Sequence, residues 1–342
     1  MDPLTHTLLG ITLAKAAGAS GPYEIGIISA TVGGALIADS DFVIRPLGST
    51  LTIRFHHGPT HSLVCGLLLS ALCAAIAAFI PLLLLSWWKP SFFLFWAFAY
   101  LGFLSHVGLD LCLHCNGLQV LWPFNNRWFR WPLFIGLNPL TSSARCAERS
   151  FLVCSLCQLH SLSRNRVFYI LIGGIILQTI LWSRGRWVAL GTFLCLILYV
   201  LYAFYRKRTA KQLARDTFTA VEKFEIFPAD FSTGRWLALG KNKKGYEAVT
   251  IDLQRSDIVS KTFFQIQSMQ DIDNSLKDER VKNTLRNYIV PYETVKEGDN
   301  GQREIFFWDL AYYFTPEVTL HMAKVRLNEA GKVESIDFRE RW

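Results

Sequence analysis

Acidic side chains are scarce in the first part of this 342-residue chain: residues 1–205 hold 6 of its 27 Asp and Glu. The same stretch has 12 Lys and Arg, against 23 in residues 206–342. So little charge cannot cover a water-facing surface of that size, which excludes a chain that is soluble throughout. No basic run is interleaved with base-stacking aromatics, so the net charge of +8 does not point to a nucleic-acid partner, and none is expected. The 8 Cys follow no secreted disulfide pattern. A basic n-region is missing from Met1 to His6, which argues against a cleavable signal peptide. P-loop, G-x-S-x-G and H-E-x-x-H signatures are absent, so the chemistry each carries is not expected.

What the first part does have is long apolar runs. Ser62 to Trp87 and Phe92 to Cys112 are each long enough to cross a hydrocarbon core of ~30 Å, and Trp88-Lys89-Pro90 breaks them into a hairpin. Val167 to Trp182 and Trp187 to Tyr205 form a second pair around Ser183-Arg184-Gly185-Arg186. Thr7 to Ala19 and Ile25 to Ala38, split by Ser20-Gly21-Pro22, are shorter and predict a re-entrant or bundle-buried helical hairpin. The fold class expected is therefore an α-helical integral membrane bundle, with about four clear spans plus the short N-terminal hairpin, over residues 1–205.

Residues 206–342 have the charge density of a soluble domain. Alternation over Tyr246 to Leu253, Glu304 to Leu310 and Glu317 to Leu327 predicts strands, with turns at Asp299-Asn300-Gly301 and Asn328 to Gly331. Asp271 to Tyr288 reads as one charged helix, giving a small α+β C-terminal domain. Arg206-Lys207-Arg208 and the arginines of the 113–166 connection place that domain and the connection on the cytoplasmic side. Trp122-Pro123-Phe124 and Trp128-Phe129-Arg130-Trp131 predict a surface lying among lipid headgroups, with membrane lipids as partners.

The few ionisable residues of the membrane part are not scattered. His6 opens the first short helix and Asp39 and Asp41 close the second. His56, His57 and His61 precede one long span, and His106 and Asp110, four apart on one helical face, end its partner. Hairpin topology brings these ends together, and ionisable groups at that depth are costly unless paired, hydrated or metal-bound. Imidazole and carboxylate suit a divalent metal, Zn²⁺ first, with Mn²⁺ or Fe²⁺ also compatible. The ligands expected are His6, Asp41, His61, His106 and Asp110. His56, His57 and Asp39 are the candidate acid, base or phosphate-contacting groups. Metal-activated water would then hydrolyse a lipid or other phosphoester at the cytoplasmic membrane face. The same residues also fit a transporter's transit site, or a scaffold stapled by a structural metal. Cys112, Cys115, Cys154 and Cys157 form two C-x-x-C pairs, a weaker candidate zinc site.

Met1 to Gly10, the Asp39-x-Asp41 pair, His56 to Ser62, Ser105 to Asp110 and Leu121 to Phe124 resemble the YdjM-type family of bacterial inner-membrane proteins. The resemblance implies a multi-pass inner-membrane, metal-dependent hydrolase, with His6, Asp41, His56, His61, His106 and Asp110 as functional positions. His57 stands where that family usually has Arg, and Ala38 where it usually has Pro. The order of ligands is also similar to part of that in zinc-dependent phospholipase C and P1-type nucleases, which implies a phosphoester substrate.

Overall fold

A computed structural model describes residues 3–47, 57–84, 91–113, 117–134, 166–180, 185–218, 221, 223–229, 233–265, 270–285, 288–297, 303–315, 318–319, 322–328 and 331–339. The chain divides into two compact units: residues 1–46 with 55–204, and residues 47–54 with 205–342.

The first unit is helical. α1 (Pro3–Ala16) and α2 (Glu24–Ile37) form the N-terminal hairpin. α1 ends at Gly18, whose φ of 96° lets the Ala19 N–H return to the Ala14 carbonyl. The Lys15 ammonium pairs with the Glu24 carboxylate across the turn. α2 is longer than the sequence pattern predicts, because helical backbone continues at both of its ends. The 3-10 turn Gly21–Tyr23 leads in, and a 3-10 segment, Ala38–Leu47, follows. Gly21–Asp41 is thus a 21-residue stretch long and apolar enough to cross a membrane, longer than the run Ile25 to Ala38 on which the re-entrant or bundle-buried reading rests.

α3 (Leu63–Leu84) and α4 (Phe92–Leu111) make the second hairpin. α5 (Arg166–Ile180) and α6 (Gly185–Thr217) follow. Among the described residues three helices are long and apolar enough to span: Gly21–Asp41, Phe92–Leu111 and Gly185–Thr217. The expected count of about four clear spans is therefore not reproduced. α3 carries no charged residue along Leu63–Leu84, and α5 has 15 residues.

Lipid tails are as apolar as leucine, so these helices gain little by hiding hydrophobic surface from one another. Close contact and hydrogen bonds hold them instead. The core is accordingly built of small residues: Ala14, Ala30, Cys73, Ala74, Ala78 and Ala99 surround Ile27 and Phe95. α2 and α4 touch backbone to backbone. A Cβ on Gly34 would stand 1.8 Å from the Ala99 carbonyl oxygen, and one on Gly102 would stand 2.0 Å from that of Thr31. On the other side of α4, a Cβ on Gly66 of α3 would run into the Phe103 ring at 2.0 Å.

The second unit begins with the last turns of α6 and is mainly antiparallel sheet. β1 (Phe224–Pro228), β2 (Arg235–Lys241), β3 (Gly245–Asp252) and β4 (Asp257–Gln265) form one meander. The α6 residues Ala210 and Ala214 cover one face of it, against Ile226, Trp236, Ala238, Val249 and Ile251. Leu310 and Ala311 cover the other, against Phe227, Leu237 and Leu239, so β2 is buried on both faces and loses strict alternation.

β5 (Pro291–Glu297), β6 (Arg303–Asp309), β9 (Met322–Leu327) and β10 (Val333–Arg339) form the second sheet in the order β10-β9-β6-β5. β7 (Tyr313–Thr315) and β8 (Val318–Thr319) pair separately, so Glu317 to Leu327 is not one strand. The Asp271 to Tyr288 helix is also two, α7 (Gln270–Ser275) and α8 (Glu279–Leu285). Asp278 divides them: its carboxylate accepts the Arg280 N–H at 2.8 Å, a cap that starts a new helix. The predicted turn near Gly331 is present, with φ 70° and an Asn328 carbonyl accepting the Gly331 N–H. The one at Asp299-Asn300-Gly301 lies outside the described residues.

Two stability predictions follow from these contacts. Gly34→Ala and Gly102→Ala force the α2–α4 backbones apart and should each cost about 1–3 kcal/mol or more. Gly108→Ala on the same helix, where an added Cβ meets nothing within 4 Å, should be neutral or stabilising. Thermal unfolding of the full chain in detergent separates the three. In the second unit the buried Asp309 carboxylate accepts the N–H groups of Ile289 (2.8 Å), Val290 (2.9 Å) and Ala311 (3.1 Å). Asp309→Ala leaves those donors unpaired, and should cost a few kcal/mol and expose residues 288–311 to limited proteolysis.

Candidate metal centre

Four helix ends in the first unit meet at one place. His6 lies in the first turns of α1, and Asp39 and Asp41 in the 3-10 segment after α2. His61 ends the 3-10 turn Pro59–His61 that leads into α3, and His106 and Asp110 occupy the last turns of α4. His6, His61, His106 and Asp110 are completely buried, and Asp41 nearly so.

Asp39, His61, His106 and Asp110 each offer one ligand atom, and these atoms all lie within 4.8 Å of one another. The two Nε2 atoms of His61 and His106 are 3.3 Å apart. Asp39 Oδ1 is 3.7 Å from each of them, and Asp110 Oδ2 is 3.2 Å from His106 Nε2 and 4.0 Å from His61 Nε2.

Protons on the far sides of both rings decide what this means. His106 Nδ1 lies 2.6 Å from the Ala35 carbonyl oxygen, which can only accept, so Nδ1 carries the hydrogen and Nε2 of the neutral ring presents a lone pair. His61 Nδ1 is 3.1 Å from Thr60 Oγ1 and 4.0 Å from Asp41 Oδ2, again a side that favours N–H. With both rings neutral and protonated at Nδ1, two imidazole lone pairs and two carboxylate oxygens converge. Such a set repels itself unless a cation shares it. For ligands about 2.0–2.1 Å from a tetrahedral Zn²⁺, neighbouring donor atoms stand roughly 3.3 Å apart. The residues present fit a divalent metal.

The other residues singled out from the sequence surround this group. His6 stacks on His106, with ring centroids 3.8 Å apart, and its Nε2 is 3.3 Å from Asp110 Oδ1. Asp110 thus faces His6 with one oxygen and the cluster with the other. Asp41 stands behind His61, where Oδ2 also accepts the His57 backbone N–H at 3.1 Å. His57 has φ 61°, a left-handed conformation that His tolerates better than most residues. Its Nε2 is 4.0 Å from Asp110 Oδ2, and its side chain keeps 14 % of its surface exposed where those of His6, His61 and His106 keep none.

His56 lies outside the described residues, as do Cys115, Cys154 and Cys157; Cys112 is buried at the end of α4. Sequence reading missed Ala35 and Thr60. Thr60 lies inside the His56 to Ser62 motif, so its neighbourhood was visible. Ala35 acts through a carbonyl, which no residue type announces.

The comparisons with known proteins follow this geometry. A relative described as "Uncharacterized protein YfhP", from Bacillus subtilis (strain 168), is 28% identical over 145 residues. The match covers 41% of this chain and 42% of that relative, so the two share less than half of either length. No solved structure matches. The family described as YdjM inner membrane protein matches residues 1–210, a stretch that contains every residue of the cluster. The chain therefore belongs to the YdjM inner membrane protein family.

Proposed function

We propose that this protein is a membrane-bound metal-dependent hydrolase that cleaves a phosphoester, with a membrane phospholipid as substrate, at the cytoplasmic face. The convergence of His61 Nε2, His106 Nε2, Asp39 and Asp110 carries the reading. Asp39, read from the sequence as a proton-handling group, is assigned here as a ligand. Asp41 is assigned behind His61, anchoring the His57 backbone N–H. A divalent metal held there supplies Lewis acidity, lowering the pKa of water toward neutrality.

The chain's own residues do the rest. The Ala35 carbonyl and the Thr60 hydroxyl hold the two imidazoles through their Nδ1 atoms, so that both Nε2 atoms face the cluster. His57 is at the exposed margin of the cluster, where it can take a proton from the attacking water or return one to the leaving oxygen. Asp110 links His6, His106 and His57 through its two oxygens.

A transit site fits less well. α3 between Leu63 and Leu84, and α4 between Phe92 and Ser105, contain no Asp, Glu, His, Lys or Arg. A carried ion would find no polar path along either helix.

Purified full-length protein should contain roughly one divalent metal per chain or more by mass spectrometry. His61→Ala combined with His106→Ala should remove it while the protein still elutes as a folded species. The wild type should release phosphate or headgroup from phospholipid micelles, lose this on chelation and regain it with Zn²⁺ or Mn²⁺. His57→Ala should keep the metal and lower kcat by about 10²–10⁴. A metal-loaded protein that turns over neither phospholipids nor small phosphodiesters would leave the structural-staple reading instead.

A further inference from the structure

The segment 117–131 has no place in the metal cluster, yet it is bonded to it. The His57 carbonyl accepts the Gln119 N–H at 3.1 Å, and the Leu63 N–H donates to the Val120 carbonyl at 3.0 Å. Leu118 and Phe129 exchange both backbone hydrogen bonds at 2.9 Å, closing a hairpin. Gly117 permits the close start: φ is 92°, and a Cβ there would meet the Phe129 carbonyl oxygen at 2.8 Å. The buried Gln119 side chain reaches across and donates to the Asn126 carbonyl at 3.3 Å, and Asn125 Oδ1 accepts the Arg127 N–H at 2.8 Å. The tip is therefore held in a fixed relation to His57.

The depth of the hairpin's base is also marked. The Trp131 N–H donates to the Leu111 carbonyl (2.7 Å) and the Leu133 N–H to that of Cys112 (2.8 Å), at the end of the α4 span. The Trp131 ring meets that of Phe204, centroids 6.5 Å apart. Phe204 ends the apolar run of α6 immediately before Arg206-Lys207-Arg208. Two span ends and an aromatic contact beside a basic cluster define headgroup depth.

The tip is unusual for a water-facing loop. Phe124 is 86% exposed, Trp131 51% and Leu121 42%. Between Gly117 and Phe134 there are two arginines, Arg127 and Arg130, and no acid. Arg127 is exposed and lies 5.8 Å from the centre of the Phe129 ring. An apolar tip flanked by guanidinium suits the boundary between acyl chains and anionic headgroups, where the guanidinium can hold phosphate with two parallel bonds.

We propose that hairpin 117–131 seats an anionic phospholipid beside His57, with Leu121 and Phe124 entering the acyl layer and Arg127 holding the headgroup phosphate. The catalytic consequence rests on the hydrolase reading; the lipid seat itself does not.

The test places photoreactive p-benzoylphenylalanine at Phe124 in the full-length protein, in nanodiscs of phosphatidylcholine with a minor share of phosphatidylglycerol. Cross-linked lipid is identified by mass spectrometry. Expected is lipid adduct in which phosphatidylglycerol exceeds its share of the bilayer several-fold, with Arg127→Gln reducing it to that share. Adducts with protein alone, or lipid adducts showing no anionic preference while Arg127 is intact, overturn the proposal. In the hydrolysis assay, Arg127→Gln should raise KM for anionic phospholipid several-fold relative to KM for the zwitterionic one. Anionic cross-linking without any turnover sinks the hydrolase reading and keeps the seat. Turnover without lipid cross-linking does the reverse.

Discussion

The bundle depends on how closely α2 and α4 approach. Gly34 against the Ala99 carbonyl and Gly102 against that of Thr31 let two helix backbones touch where any side chain would hold them apart. That contact sets the height and rotation of α4 against α2, and with them the meeting of the Ala35 carbonyl and His106 Nδ1 at 2.6 Å. A backbone carbonyl thereby chooses the tautomer of a buried histidine and aims its other nitrogen at His61. A shift of one ångström between these helices would break the hydrogen bond and leave His106 free to turn. The small-residue core and the cluster are thus one construction, and the geometry of the second depends on the tightness of the first.

That dependence explains what could be read from the sequence. Apolar runs, their punctuation and the sparse ionisable residues are one-dimensional signals, so the pairing of helix ends followed from hairpin topology. The length of α2 did not, because Gly21-Pro22 and Ala38 to Asp41 look like breaks in composition but keep helical backbone. The division between Asp39 and Asp41 was equally hidden. Two carboxylates, two residues apart on one 3-10 segment, point differently: one toward both Nε2 atoms, the other toward His61 Nδ1 and the His57 N–H. Only three-dimensional placement tells them apart. In the second unit alternation found β3 and β6. It failed at Glu317 to Leu327, where similar residues serve two sheets, and at Asp278, where a local cap divides a charged stretch into two helices.

The electrostatics of the cluster suit a bound cation. Burying two carboxylates and three imidazoles among helices costs far more than solvating them, and a cation shared by four converging donors is the arrangement that offsets it. The cost is confined to helix ends. Beyond them α3 from Leu63 to Leu84 and α4 from Phe92 to Ser105 contain no Asp, Glu, His, Lys or Arg. Among the described residues of the group, Asp39 and His57 keep the most side-chain exposure, each 14 %. Their exposure marks the side on which the cluster is open. The proposed phospholipid substrate rests less on the ligand set than on the exposed apolar residues Leu121 and Phe124, in the segment whose Gln119 N–H is accepted by the His57 carbonyl.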